Sequence, residues 1–108
     1  MAAARDEIVN QISRLAGELR QHNIRVNKAV LFGSYAKGTA RDDSDIDVAI
    51  ISDDFEGVRF LDRQKINPYL INYNCRFDIH PYRAGEFNPS SSWFVKEILK
   101  DGWEIPLD

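Results

Sequence analysis

Residues 31–51 read LFGSYAKGTARDDSDIDVAII, two apolar segments joined by a polar connection. The apolar residues 29–32 end at a Gly-Ser pair, which predicts a short buried strand. Residues 46–51 predict a second strand, which is entered through a polar turn and an Asp-x-Asp pair. The stretch therefore places small and acidic residues where one strand ends and the next begins.

Two aspartates enter the second predicted strand. Side chains alternate between the faces of a strand, so we expect Asp45 and Asp47 on one face, opposite Ile46 and Val48. Two carboxylates so close together repel each other unless a cation lies between them. Because oxygen ligands with open water positions suit Mg²⁺ or Mn²⁺, the pair predicts a divalent-metal site.

A third carboxylate from a neighbouring strand would complete a two-metal site. Residues 75–82 predict a third strand, and Asp78 is the only acidic residue in it, so Asp78 is the candidate third ligand. His80 lies two residues further on, on the same face of a regular strand. For His80 the sequence favours a solvated or structural histidine over a role in the site.

The Gly33–Ser34 pair turns from a strand into a short predicted helix. Free backbone N–H groups at such a turn form an anion site with the Ser34 hydroxyl, and Gly33 allows close approach because it has no Cβ. Lys37 and Arg41 follow the turn, and each is either a triphosphate contact or a solvated surface charge. A phosphate site beside a carboxylate site is what nucleotidyl transfer needs.

The first half of the chain also predicts two longer helices. Apolar residues recur at steps of four, three and four from Ile8, which indicates an amphipathic helix over about residues 3–21, with Asn23 as its end. Residues 58–70 have a rough helical pattern, and Pro68 predicts a break or a kink within it.

The C-terminal part predicts a last helix and a short strand. Asn88 and Pro89 are expected as the N-cap and first position of that helix, and Gly102 as its terminating glycine. Residues 103–106 are expected to add a strand. Three aromatic residues are expected in the core or in an interface, with the core preferred: Trp93, Phe94 and Trp103.

Composition limits the class of protein. The 108 residues fit a single domain over residues 1–108, and 44% hydrophobic with 29% charged residues is typical of a globular chain. No apolar run approaches the roughly 20 residues that span a bilayer. An export signal is not apparent and Cys75 is the only cysteine, so we expect a cytoplasmic setting. The net charge of −3 argues against a dedicated duplex DNA binder.

The Gly-Ser pair, ten further residues and Asp-x-Asp closely resemble the signature of the DNA polymerase beta-like nucleotidyltransferase superfamily. Gly33, Ser34, Asp45 and Asp47 match that signature position for position. The compact length and two later segments, FDIHPY and EILKDG, resemble the minimal nucleotidyltransferases, or MNT proteins. The resemblance covers nearly the whole chain.

The resemblance implies an α+β fold, with a small mixed β-sheet flanked by helices. It implies that Asp45, Asp47 and Asp78 are catalytic and bind two Mg²⁺ or Mn²⁺ ions. A nucleoside monophosphate, in the leading hypothesis AMP from ATP, would pass to an acceptor hydroxyl. MNT proteins often serve as antitoxins beside a helical HEPN partner, and some modify a tyrosine of that partner. The choice between a homo-oligomer and a hetero-oligomer stays open.

Two other functions stay open at the level of sequence. The chain could be a non-catalytic antitoxin that blocks a toxin by occlusion, although a steric blocker has no need of three clustered acids. It could also be a stand-alone transferase acting on a small molecule such as an aminoglycoside. The small size argues against that alternative, because larger relatives use an additional domain to grip the acceptor.

Overall fold

The computed structural model describes residues 5–73 and 76–107. Within them the helices and strands follow one another in the predicted order: α1 (Arg5–Gln21), β1 (Lys28–Phe32), α2 (Ser34–Lys37), β2 (Ile46–Ile51), α3 (Arg59–Leu70), β3 (Phe77–Tyr82), a short 3₁₀ helix (Ala84–Glu86), α4 (Trp93–Asp101) and β4 (Trp103–Glu104). The predicted start of the first helix at residue 3, and Cys75, lie outside the described residues. None of the described helices is long and apolar enough to cross a membrane.

The strands form one mixed sheet in the order β3-β2-β1-β4. Strand β1 pairs antiparallel with both β2 and β4, whereas β2 and β3 run parallel. Parallel neighbours need a crossover connection, and helix α3 supplies it between β2 and β3. The α+β fold with a mixed sheet flanked by helices is thus confirmed, and β3 lies at one edge of the sheet.

The larger hydrophobic core lies between one face of the sheet and helices α1 and α3. The apolar stripe of α1 is fully buried there: Ile8, Ile12, Leu15 and Leu19. It packs with inward-facing strand residues such as Leu31, Val48 and Ile79, and with Ile66 of α3. The predicted spacing of the first helix therefore marks its buried face.

The opposite face of the sheet has a smaller core. Val30, Ala49 and Ile51 form it together with Ile98 of α4. Because successive strand residues point to opposite faces, Asp47 lies on this same, less covered face. The fold thus leaves part of one sheet face open for polar side chains.

The helix α3 is continuous through Pro68, so the predicted break is wrong. Pro68 falls in the last turn, and the helix ends two residues later at Leu70. A proline there removes only one of the last backbone hydrogen bonds, which limits its cost.

The last helix begins later than predicted. Its N-cap is Ser92, whose hydroxyl accepts a hydrogen bond from the Val95 N–H at 3.0 Å. Asn88 instead accepts from the Ser90 N–H at 3.0 Å, in a turn that also contains Pro89. Asparagine side chains stabilise turns as readily as helix starts, and here the serine forms the cap.

Gly102 ends α4 as predicted, although its backbone is not left-handed, with φ −75°. Its N–H donates to the Ile98 carbonyl at 2.7 Å. A Cβ at this position would collide with that carbonyl oxygen and with the Val30 side chain. Close packing against β1, rather than backbone conformation, explains the glycine.

The preference for a core location of the three aromatic residues is wrong. Trp93 is 72% exposed, and Phe94 and Trp103 are exposed by 40% and 42%. Helix α4 buries Val95 and Ile98 instead, so the aromatic side chains at its start point toward solvent or line a cleft.

Candidate active site

Asp47 and Asp78 lie directly opposite each other on neighbouring parallel strands. The pairing of β2 with β3 puts both side chains on the open face of the sheet. Each side chain is partly exposed, at 27% for Asp47 and 34% for Asp78. The structure therefore brings together two of the three predicted carboxylates.

His80 joins this pair and completes a group of potential metal ligands. One ligand atom from each of Asp47, Asp78 and His80 lies within 4.8 Å of the others. His80 Nε2 lies 3.3 Å from Asp78 Oδ2 and 3.8 Å from Asp47 Oδ1. The two neighbouring carboxylates suit a divalent cation, so the oxygen donors fit the predicted metal.

The hydrogen bond on the other side of the His80 ring fixes its orientation. Arg59 Nη2 lies 2.9 Å from His80 Nδ1. A guanidinium can only donate, so Nδ1 accepts and the ring proton of a neutral imidazole lies on Nε2. Nε2 is buried and has no hydrogen-bond partner among the described residues. In this arrangement His80 presents a donor to the two carboxylates.

Helix α3 supplies two arginines to the site, one turn apart. Arg63 Nη2 donates to Asp78 Oδ1 at 2.7 Å, and Arg59 donates to the histidine. The start of α3 is anchored by Asp62, which is 1% exposed and accepts from the backbone N–H groups of Glu56 and Gly57. A buried carboxylate that accepts two such bonds fixes the helix, and with it the arginines.

Tyr82 continues the same face of β3 beyond the histidine. Burial raises the pKa of its hydroxyl above the ordinary range, while the nearby Arg59 acts in the opposite direction. The hydroxyl therefore stays protonated at neutral pH.

Asp45 lies apart from the ligand group. Its side chain is 58% exposed, and its Oδ1 lies 3.6 Å from Arg76 Nε. Strand β2 begins one residue later, at Ile46. A role for Asp45 as a metal ligand stays a prediction, because its carboxylate does not converge with Asp47 and Asp78 here.

Gly33 forms the turn that was predicted to bind phosphate. Its φ is 73°, in the left-handed region that favours glycine, and a Cβ there would collide with the Asp47 carboxylate. Ser34 begins α2 directly after it and is partly exposed. The glycine thus allows the turn and the carboxylate to lie side by side.

Lys37 and Arg41 occupy different surroundings. Lys37 lines a cleft together with Asp47 and Asp78. Arg41 is exposed, and its backbone N–H donates to the Ser44 hydroxyl at 2.8 Å in the turn before β2. The structure brings Lys37 to the candidate site, and it does not place Arg41 among the residues that line the cleft.

The cleft has a volume of about 460 Å³, within the range of small-molecule sites. One end is formed by the glycine turn, Lys37 and the carboxylates, and the other by α4. The helix contributes five lining residues: Trp93, Phe94, Glu97, Ile98 and Asp101. The candidate site is therefore a cleft with a polar end and a partly aromatic end.

Sequence reasoning did not find the two arginines or the role of α4. The spacing of Arg59 and Arg63 by one helical turn was a visible signal, since it puts both on one helix face. The shared face of Asp78 and His80 was visible as well. Without the order of the strands, however, neither signal indicated a common site.

Comparisons with known proteins show the family of the chain. Residues 12–104 match the family described as nucleotidyltransferase domain. Putative protein adenylyltransferase MJ0604 of Methanocaldococcus jannaschii is 34% identical over 80 residues, which cover 72% of this chain and 76% of that protein.

Two solved structures share the fold. A structure titled as a putative nucleotidyltransferase from Sulfolobus solfataricus has a TM-score of 0.62 at 19% identity, over 93% of this chain and 80% of that one. A structure titled as a toxin-antitoxin with AMP-PNP has a TM-score of 0.60 at 22% identity, over 93% of this chain and 73% of that one.

The chain belongs to the nucleotidyltransferase domain family. The resemblance found through the Gly-Ser and Asp-x-Asp signature is thereby confirmed. The prediction of an enzyme of the nucleotidyltransferase class is confirmed by the same comparisons.

Proposed function

We propose that this enzyme transfers AMP from ATP to a hydroxyl of a partner protein. The observation that carries the proposal is the cleft in which the paired carboxylates Asp47 and Asp78 adjoin the Gly33 turn. The similarity to a protein named as a protein adenylyltransferase supports the choice of nucleotide and of acceptor class.

A divalent cation fits this site, and Mg²⁺ or Mn²⁺ is proposed. It would be held by Asp47 and Asp78, with Asp45 rotating in from its exposed position. When bound, it would supply the positive charge that neutralises the triphosphate and lowers the pKa of the attacking hydroxyl. The support for this cation is the register of Asp47 with Asp78, which puts two carboxylates side by side on the open face of the sheet.

The residues of the chain have distinct parts in the reaction. The Gly33 turn and Lys37, which line the cleft, hold the phosphates through N–H and ammonium donors, and the Ser34 hydroxyl, which follows the turn without lining the cleft, is the further proposed contact. The acceptor oxygen attacks the α-phosphorus and pyrophosphate leaves. The proton of the acceptor passes to Asp78, whose Oδ2 is not engaged by the arginine of α3.

The proposed acceptor is a tyrosine of a helical HEPN-type protein, with the chain as its antitoxin in the cytoplasm. This part of the proposal depends on the resemblance to minimal nucleotidyltransferases and on a single-domain chain of residues 1–108. The likeness to the toxin-antitoxin structure contributes the fold alone. The complex would be a hetero-oligomer.

Intact-mass spectrometry of the partner tests the proposal. The purified chain is incubated with ATP, Mg²⁺ and a candidate HEPN-type partner protein. We expect the partner to gain one or more AMP units with the wild type, and none with Asp78→Asn. Asp6→Asn, a change of an exposed acid in the first turn of α1, is the matched control and should leave the transfer intact.

Occlusion predicts a different result in the same experiment. If the wild type and Asp78→Asn both neutralise the partner and neither adds mass, the chain acts as a non-catalytic binding module. That outcome would overturn the proposed transfer.

A further inference from the structure

Helix α4 presents a row of side chains to the cleft. Trp93, Glu97 and Asp101 follow one another at steps of four, so they lie on one face of the helix. Trp93 is 72% exposed although it is one of the two largest side chains of the protein. Exposed aromatic residues at the rim of a cleft are typical of binding sites rather than of packing.

The ring of Phe94 extends this apolar wall inward. Its centroid lies 5.8 Å from that of Phe32 and 5.6 Å from that of His80. The aromatic end of the cleft therefore adjoins the carboxylate end through His80. A ligand that binds the polar end with its phosphates has a planar, aromatic surface within the same cleft.

Glu97 is the polar group of this wall. It is partly buried, and it has no hydrogen-bond or ion-pair partner in the part of the chain that the structure describes. An ionised carboxylate only accepts hydrogen bonds, so it selects a ligand group that donates. Together with Asp101 it gives this wall negative charge, which disfavours phosphates there.

We propose that α4 binds the nucleobase of the substrate: Trp93 stacks on the ring, and Glu97 accepts a hydrogen bond from its exocyclic amino group. This inference rests on the proposed nucleotide substrate and adds the origin of base selectivity. A base is planar and uncharged, has a π face for stacking and carries its amino group at the edge. Adenine offers such a donor at its 6-position, whereas hypoxanthine has a 6-oxo acceptor there.

Tryptophan fluorescence tests the stacking. The chain has two tryptophans, and Trp103→Phe leaves Trp93 as the only one. We expect ATP with Mg²⁺ to quench this emission in the absence of any partner protein. By calorimetry, Trp93→Ala should weaken ATP binding about tenfold, whereas Trp103→Ala should leave it within about twofold of the wild type. Circular dichroism confirms that both variants fold.

The outcomes separate this inference from the proposed function. Suppose that the wild type binds ATP by calorimetry, that Trp93→Ala binds it equally well, and that ATP does not quench the tryptophan emission. The base then does not stack on Trp93, and only this inference fails. If the partner protein quenches the Trp93 emission without ATP, the aromatic end of the cleft binds the acceptor. That result would also overturn the inference. If the wild type does not bind ATP by calorimetry, both proposals fail.

Glu97→Gln tests the base selectivity. We expect the wild type to bind ATP about tenfold tighter than inosine triphosphate, because the 6-oxo group leaves the carboxylate without a donor. The Gln amide can donate as well as accept, so the variant should bind the two nucleotides within about twofold of each other. Glu104→Gln, an exposed acid on β4, removes the same charge elsewhere and should keep the preference. An unchanged preference in Glu97→Gln contradicts the assignment.

Discussion

Arg63 of α3 holds Asp78 of β3 through a contact of 2.7 Å between Nη2 and Oδ1. The other carboxylate oxygen lies 3.3 Å from His80 Nε2. Both oxygens of Asp78 therefore face donor groups, and the orientation of the carboxylate depends on the helix that crosses from β2 to β3. A cation that binds Asp78 shares it with this arginine.

Replacement of Arg63 should affect turnover more than nucleotide binding. In Arg63→Met, Asp78 loses the contact that orients it, so we expect kcat for AMP transfer to fall about 10- to 100-fold. The KM for ATP should change by less than about threefold, because the proposed phosphate site lies at the Gly33 turn. Arg63→Lys keeps the charge without the planar fork and should recover part of the rate. Steady-state kinetics measures both constants, and an unchanged kcat in Arg63→Met would contradict a positioning role.

Two glycines with positive φ can be compared as variants. Gly33→Ala puts a Cβ onto the Asp47 carboxylate, whereas Gly38, with φ 78° and ψ 18°, is in the αL region and a Cβ there has no atom within 4 Å. Gly38→Ala should lose about 1–2 kcal/mol of stability from backbone strain, and Gly33→Ala should lose more, because its φ and ψ lie in a region that essentially only glycine adopts. Only Gly33→Ala should also lose the rise in Tm caused by ATP with Mg²⁺. Thermal melts with and without nucleotide measure this, and equal rises in both variants would place the phosphate site elsewhere.

Metal and nucleotide should stabilise the fold together. A ligand that binds only the native state raises Tm by mass action, so ATP with Mg²⁺ should raise it and EDTA should reverse the rise. Asp47→Asn should lose most of the effect. Asp6→Asn should keep it, since that residue lies on α1 outside the cleft.

Asp45→Asn tests whether Asp45 is one of the metal ligands, as the sequence predicts. If the exposed carboxylate leaves Arg76 to bind the ion, this variant should lose as much of the rise in Tm as Asp47→Asn does. The same thermal melts measure it. A rise equal to that of the wild type would show that Asp47 and Asp78 hold the ion without Asp45.

The true start of α4 can be checked by stability alone. Ser92→Ala removes the hydroxyl that caps the helix and should cost about 1 kcal/mol of unfolding free energy. Asn88→Ala removes only turn contacts, to Ser90 and Gly85, and should cost less. Urea denaturation of the two variants measures the difference. A larger loss in Asn88→Ala would restore that residue as the cap.

Local patterns were enough to predict most of the fold. The α1 stripe, the β2 segment and the Gly33 turn depend on spacing within a few residues, and the structure has each where it was expected. The start of α4 was misplaced because two capping signals, Asn88 and Ser92, compete over a short distance, and only packing decides between them.

The remainder of the site depends on contacts that are distant in sequence. Asp78 was found because it is the only acid in its strand, and its register with Asp47 follows from the pairing of β2 with β3. Arg59 and Arg63 reach the site through the crossover helix, whose direction no local pattern reveals. The exposure of Trp93 depends on which face of α4 packs on the sheet, and in the structure that face is the one with Val95 and Ile98.

The position of β3 at the edge of the sheet limits how the proposed acceptor protein can approach Asp78. Ile46 N donates to the Arg76 carbonyl and Ser52 N to the Tyr82 carbonyl. The backbone N–H and C=O groups of the even-numbered residues of β3 therefore point toward β2, and those of the odd-numbered residues point away from the sheet at its edge. One of those outward positions is Pro81, which has no N–H to offer to an added strand. The edge is therefore a poor template for β-augmentation, and recognition of the acceptor falls to side chains around the open face.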